Sequence, residues 1–168
     1  VTHVSAILLE NGITPVVAAW TIAAMSITNA TWQIALGRVL DRSALPRRAA
    51  PFVVIAVLGV CLVCFGTRPW MIVTGGALMG IGSGTDYGLL PYCMPRYFGF
   101  RSYGVLYGWI FSATMLVTGL TPFLMDVIRL LTGSYSLVVM LVNIALLLSA
   151  WLIYRLEPYR FAVSDGEG

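Results

Sequence analysis

Lysine is absent from this chain, histidine occurs once, and charged residues make up only 10% of it. Soluble domains carry about 25% charged residues, so these residues cannot cover a water-exposed body of ordinary composition. All ten basic residues are arginine, set against seven acids, for a formal net charge of +3. Nucleic-acid recognition needs a basic face on a soluble body, and no nucleic-acid partner is expected. With His3 as the sole histidine, near the start, there is no Ser-His-Asp set and no metal cluster. Cys61 and Cys64 form a C-x-x-C, but inside the apolar run "PFVVIAVLGVCLVCFG" and with no second pair or histidine at ligand spacing. They read as small hydrophobes of a membrane helix. Neither an enzyme nor a bound metal or cofactor is expected. The apolar start lacks a basic n-region, so no secretory signal is read, and a first residue of valine points to missing upstream sequence.

What the chain does have is hydrophobic length. Residues of the apolar classes make up 59%, and the mean hydropathy is +0.88. A membrane crossing takes ~20 mostly apolar residues. Five stretches qualify, at about 15–36, 51–66, 70–95, 104–127 and 135–154, after a helical stub at 1–10 that "NGITP" interrupts. Strand-type alternation is missing, which leaves helices as the way to satisfy backbone groups in lipid. The fold expected is therefore all-α and integral to the lipid bilayer, with five transmembrane helices plus the stub. A transmembrane domain would cover 1–157 and a polar tail 158–168. If the connections alternate sides, Arg38, Arg42, Arg47, Arg48, Arg96, Arg101, Arg155 and Arg160 share one side, against Arg68 and Arg129 on the other. The positive-inside rule makes the richer side cytoplasmic, with the C-terminus there and the chain multi-pass in the plasma (cell inner) membrane. Trp20, Trp32, Trp70, Tyr97, Trp151 and Tyr154 lie toward span ends, as interfacial anchors do.

Polar residues inside spans are costly and therefore informative. The first span carries Ser26, Asn29, Gln33 and Gly37 at steps of three and four, on one helical face. The third carries Ser83, Thr85, Asp86, Tyr87 and Tyr92, and the fourth Ser112, Thr114, Thr118 and Thr121. The second and fifth have little beyond Cys61, Cys64, Asn143 and Ser149. Three striped helices suit the lining of a water-filled cavity, although hydrogen bonding between packed helices also produces stripes. Ser26, Asn29, Gln33, Asp86, Tyr87, Ser112 and Thr118 are the candidate pathway residues. Asp86 is the one ionisable residue well inside a span, either a proton carrier or a structural carboxylate bonded to Tyr87, Tyr92 or a backbone amide. Gly76, Gly80 and Gly84 recur at steps of four, a smooth face for close helix packing and a candidate hinge, while Gly75, Gly82 and Gly88 add flexibility. "GGALMGIGSGTDYG" has neither a strand before it nor a G-K-[ST] after it, so it is not a phosphate loop.

The stretch "GRVLDRSALPRR" resembles the cytoplasmic loop signature of the major facilitator superfamily: a glycine, an acid–arginine pair and a later basic pair. Gly37, Asp41, Arg42, Arg47 and Arg48 match those places, with "SALP" standing where a second glycine is usual. "PRYFGFRSYGVLYGWIFSATMLVTGLTPFLMD" followed by "TGSYS" is similar to the penultimate helix and its flanking loops, most of all in the monocarboxylate porter and oxalate–formate exchanger branch. The resemblance implies the C-terminal half of a twelve-helix transporter, helices eight to twelve, whose partner is a missing N-terminal six-helix half. In such a fold helices eight, ten and eleven line the cavity, and these are the three with polar stripes. It further implies a conformational latch at Gly37, Asp41, Arg42, Arg47 and Arg48. The acid and arginine common on helix eight of that branch fall here on Asn29 and Gln33, both neutral. The function expected is secondary transport of a small solute by alternating access, with a proton as candidate coupling ion. The alternative is a membrane scaffold or partner subunit that does not transport.

Overall fold

The computed structural model describes residues 13–41, 45–99, 101, 103–132 and 136–156. The stub at 1–10, Arg42 and the tail from 158 lie outside them. Among the described residues the chain is all-helical: α1 (Pro15–Asp41), a 3-10 turn (Pro46–Ala49), α2 (Ala50–Phe65), α3 (Pro69–Phe98), α4 (Tyr103–Thr132) and α5 (Ser136–Tyr154). Prolines open several of these elements, at Pro15, Pro46, Pro51 and Pro69. Their fixed φ suits a first turn, where the missing N–H has no partner to lose. Gly99 closes α3 at φ 74° with its N–H on the Pro95 carbonyl at 2.9 Å, a left-handed cap for which glycine is suited.

The helices run past the expected spans. Gly37 and Asp41, expected in a connecting loop, occupy the last turns of α1. Hydropathy marks the apolar length alone, and a helix continues beyond it wherever water can solvate its end.

Contacts fix the helix directions. Positions 76, 80, 84 and 88 of α3 meet 21, 25, 29 and 36 of α1 in rising order, so α1 and α3 are parallel. Gly75 meets Gly59 and Leu62 of α2 while Gly82 meets Ala56, so α2 is antiparallel to α3. One hydrophobic core joins Leu36 and Leu40 to Ala49, Ala50, Val53, Leu89, Ala150 and Ile153, gathering the ends of α1, α3 and α5 around the start of α2. A smaller one joins Ala18, Val63 and Ile72 at the other end. Arg38, Arg47, Arg48, Arg96 and Arg155 consequently gather at the first end, with Arg68 at the second. The clustering seen in sequence is a property of the fold.

Both glycine faces of α3 are packing faces. A methyl group at Gly76 would lie 2.6 Å from Thr21 Cγ2, and one at Gly84 2.9 Å from the Asn29 carbonyl. Gly75 and Gly82, expected to contribute flexibility, face Gly59, Leu62 and Ala56 of α2 just as closely: a methyl group at Gly75 would lie 2.9 Å from the Gly59 carbonyl. Small residues let backbones approach where no side chain could fit.

Three segments, Pro46–Phe65, Tyr103–Leu131 and Leu137–Tyr154, are long and apolar enough to cross a membrane. α1 and α3 are long enough but carry the polar residues and the glycines that lower their hydropathy. α4 packs only lightly, against α3 and α5, and every residue from 111 to 120 is exposed.

Candidate functional site

The polar stripes of α1 and α3 meet. Gln33 Nε2 donates to Asn29 Oδ1 at 2.6 Å, Asn29 Nδ2 donates to Ser83 Oγ at 2.8 Å, and the Ser83 hydroxyl donates to the Met79 carbonyl at 3.0 Å. The chain forms because Asn29 and Gln33 are one turn apart on α1, and because the glycine face brings α3 against them. Ser83, present in the α3 stripe but not singled out as a pathway residue, is the link between the helices. Asp86 stands one turn beyond Ser83, close enough for side chains to be neighbours, and both Asp86 and Tyr87 are exposed. Asp86 makes no ion pair or hydrogen bond among the described residues, so the structural alternative that bonds it to Tyr87, Tyr92 or a backbone amide is not what the geometry gives.

The other candidates are placed differently. Ser26 is exposed on α1. Ser112 and Thr118 stand on the exposed stretch of α4, each lining a shallow groove of about 360 Å³, and among the described residues they join no hydrogen bond to the α1–α3 cluster. Trp32, expected as an interfacial anchor, is packed instead. Its ring lies 4.6 Å from that of Phe52, and its indole N–H donates to Thr85 Oγ1 at 2.9 Å, joining α1, α2 and α3.

At the arginine-rich end, Asp41 Oδ1 accepts from the Tyr92 hydroxyl at 2.8 Å and pairs with Arg96 Nη2 at 3.4 Å. The Arg96 guanidinium also covers the Tyr92 ring, 3.6 Å from its centroid. Arg47 Nε donates to the Leu156 carbonyl at 3.0 Å, fastening the turn before α2 to the end of α5. The third span expected from sequence ended at 95, before Arg96; the helix runs on to Phe98 and sets Tyr92 and Arg96 one turn apart, with their partner 51 and 55 residues earlier in the chain. Arg48 is exposed, and a side chain at Gly37 would meet nothing within 4 Å. Of the expected latch, Asp41 and Arg47 hold other elements within this chain.

Comparison with protein-family models, with curated proteins and with solved structures gave no match to this chain.

Proposed function

We propose that the chain is part of a secondary transporter of the major facilitator type, a C-terminal half that moves a small solute by alternating access. One observation carries this reading: a hydrogen-bonded chain of amides and a hydroxyl, Gln33–Asn29–Ser83, links α1 to α3 beside an exposed carboxylate on helices of membrane-crossing length. A polar link between helices that served packing alone would not need a charge next to it, since an intramembrane ionisable group is costly. In this reading α1, α3 and α4 face an aqueous path, and the six-helix half that completes it rocks against them. The arginine-rich end is cytoplasmic in the cell membrane, and Asp41, Tyr92 and Arg96 hold one of the two states closed. An exposed ion pair contributes only ~0–1 kcal/mol, yet a two-state equilibrium is biased by a few kcal/mol. Asp86 is the group that takes up and releases the coupling proton.

The exposed length of α4 favours a second reading, a membrane scaffold that holds a partner without transport. Reconstitution of the full-length protein in liposomes, with a solute panel and an imposed pH gradient, separates the two. Gradient-driven solute accumulation supports the transporter, and a sealed, inert vesicle supports the scaffold.

A further inference from the structure

The hydrogen bonds of the α1–α3 cluster all point one way. Gln33 donates to Asn29, Asn29 to Ser83, and Ser83 to the Met79 carbonyl. Gln33 spends one of its two N–H donors inward, and at the open end its exposed side chain keeps the carbonyl oxygen and the second N–H. On α3 the Asp86 carboxylate, which when ionised only accepts, stands one turn beyond Ser83, the residue this chain reaches. Pro91 follows on the same helix and has no N–H, so the Tyr87 carbonyl lacks its ordinary helical donor. The Gln33 amide and the Asp86 carboxylate therefore flank the same inter-helix link, each one turn from the residue that makes it, with one negative charge and no guanidinium paired to it among the described residues. Tyr87 adds an exposed aromatic ring, and ring faces attract cations.

Resting on the transporter reading above, we infer that the solute is an organic ammonium ion with N–H donors, held by the Asp86 carboxylate and the Gln33 carbonyl oxygen. A carboxylate-bearing solute would meet the like charge of Asp86. A neutral solute would leave the carboxylate without a countercharge at membrane depth. The same carboxylate takes a proton or the ammonium, one at a time.

The test uses four probes of similar size or charge with the full-length protein: phenethylammonium, phenylacetate, phenethyl alcohol and tetramethylammonium, which has charge but no N–H. Equilibrium binding is measured in detergent and uptake in proteoliposomes. The expected result is saturable binding and uptake of phenethylammonium, with the other three much weaker. Asp86→Asn lowers that binding by about tenfold or more, the loss of a charge-assisted bond, while Asp86→Glu retains most of it. Should Asp86→Asn not fold, Gln33→Leu is the substitute and weakens phenethylammonium several-fold. Preference for phenylacetate or phenethyl alcohol, equal binding of tetramethylammonium, or wild-type affinity in Asp86→Asn overturns the inference. Uptake of phenylacetate would overturn it while leaving transport standing. Phenethylammonium bound but not moved would keep the ammonium site and remove the transporter, and no probe bound or moved overturns the inference while the solute panel decides transport.

Discussion

Single side chains in this protein do work that their neighbours in sequence do not announce. Trp32 sits near a span end, where an indole ordinarily anchors at the interface, yet it packs on Phe52 and donates to Thr85. Nothing in a one-helix pattern distinguishes these two fates, because both put an aromatic ring near a helix end. Trp32→Phe should lower thermal stability by ~0.5–1.5 kcal/mol, the net value of one hydrogen bond, read as a shift in the melting curve of purified protein. Asn143 is the opposite case. Its Nδ2 donates to the Val139 carbonyl of its own helix at 2.9 Å, while its Oδ1 is buried with no donor among the described residues. An orphaned acceptor costs ~1–3 kcal/mol, so Asn143→Leu should leave stability unchanged or raise it within that range. Asp86 stood out as a lone charge in an apolar run, but a structural carboxylate and a proton carrier look alike there; that it makes no ion pair or hydrogen bond among the described residues is a property of the fold.

At the scale of the helix, α3 is the organising element. The four-residue repeat of Gly76, Gly80 and Gly84 announced a packing face, and α1 lies on it. The second face, Gly75 and Gly82 against α2, was not separable in sequence from glycines that merely loosen a helix, because periodicity shows a face but not whether a neighbour covers it. Position 80 and position 37 give the sharpest contrast. A methyl group at Gly80 would collide with the Met25 carbonyl and lie 3.0 Å from Thr28 Cβ, whereas at Gly37 it meets nothing. Gly80→Ala should cost ~1–3 kcal/mol by forcing α1 and α3 apart. Gly37→Ala should gain up to ~1 kcal/mol by the ordinary helix preference, both measured by thermal unfolding in one detergent. The sparse packing of α4 had no sequence signature at all. Its stripe of Ser112, Thr114, Thr118 and Thr121 looks like that of the other two polar helices, and two of these hydroxyls bond back to their own helix as Ser83 does, Thr114 to Ile110 at 2.8 Å and Thr121 to Val117 at 2.7 Å, but among the described residues none bonds to another helix.

For the whole molecule, the alternation of helix direction turns a list of arginines into two ends. Hydropathy and charge made the all-helical fold and the two-ended distribution readable in advance. The long-range partners that secure the arginine-rich end, Asp41 with Tyr92 and Arg96 and Arg47 with Leu156, were not readable, because groups 51 to 109 residues apart leave no mutual periodicity. If that end is cytoplasmic, Arg48→Cys, with Cys61, Cys64 and Cys93 replaced by alanine, reacts with an impermeant maleimide only after cells are permeabilised. Thr67→Cys in the same background reacts in intact cells. The central claim, that the α1–α3 cluster and Asp86 serve transport, meets its most direct test in solute uptake by liposomes holding the full-length protein under an imposed pH gradient. The account predicts accumulation by the wild type and its loss or uncoupling from the gradient in Asp86→Asn. Accumulation in Asp86→Asn with coupling equal to wild type would contradict it.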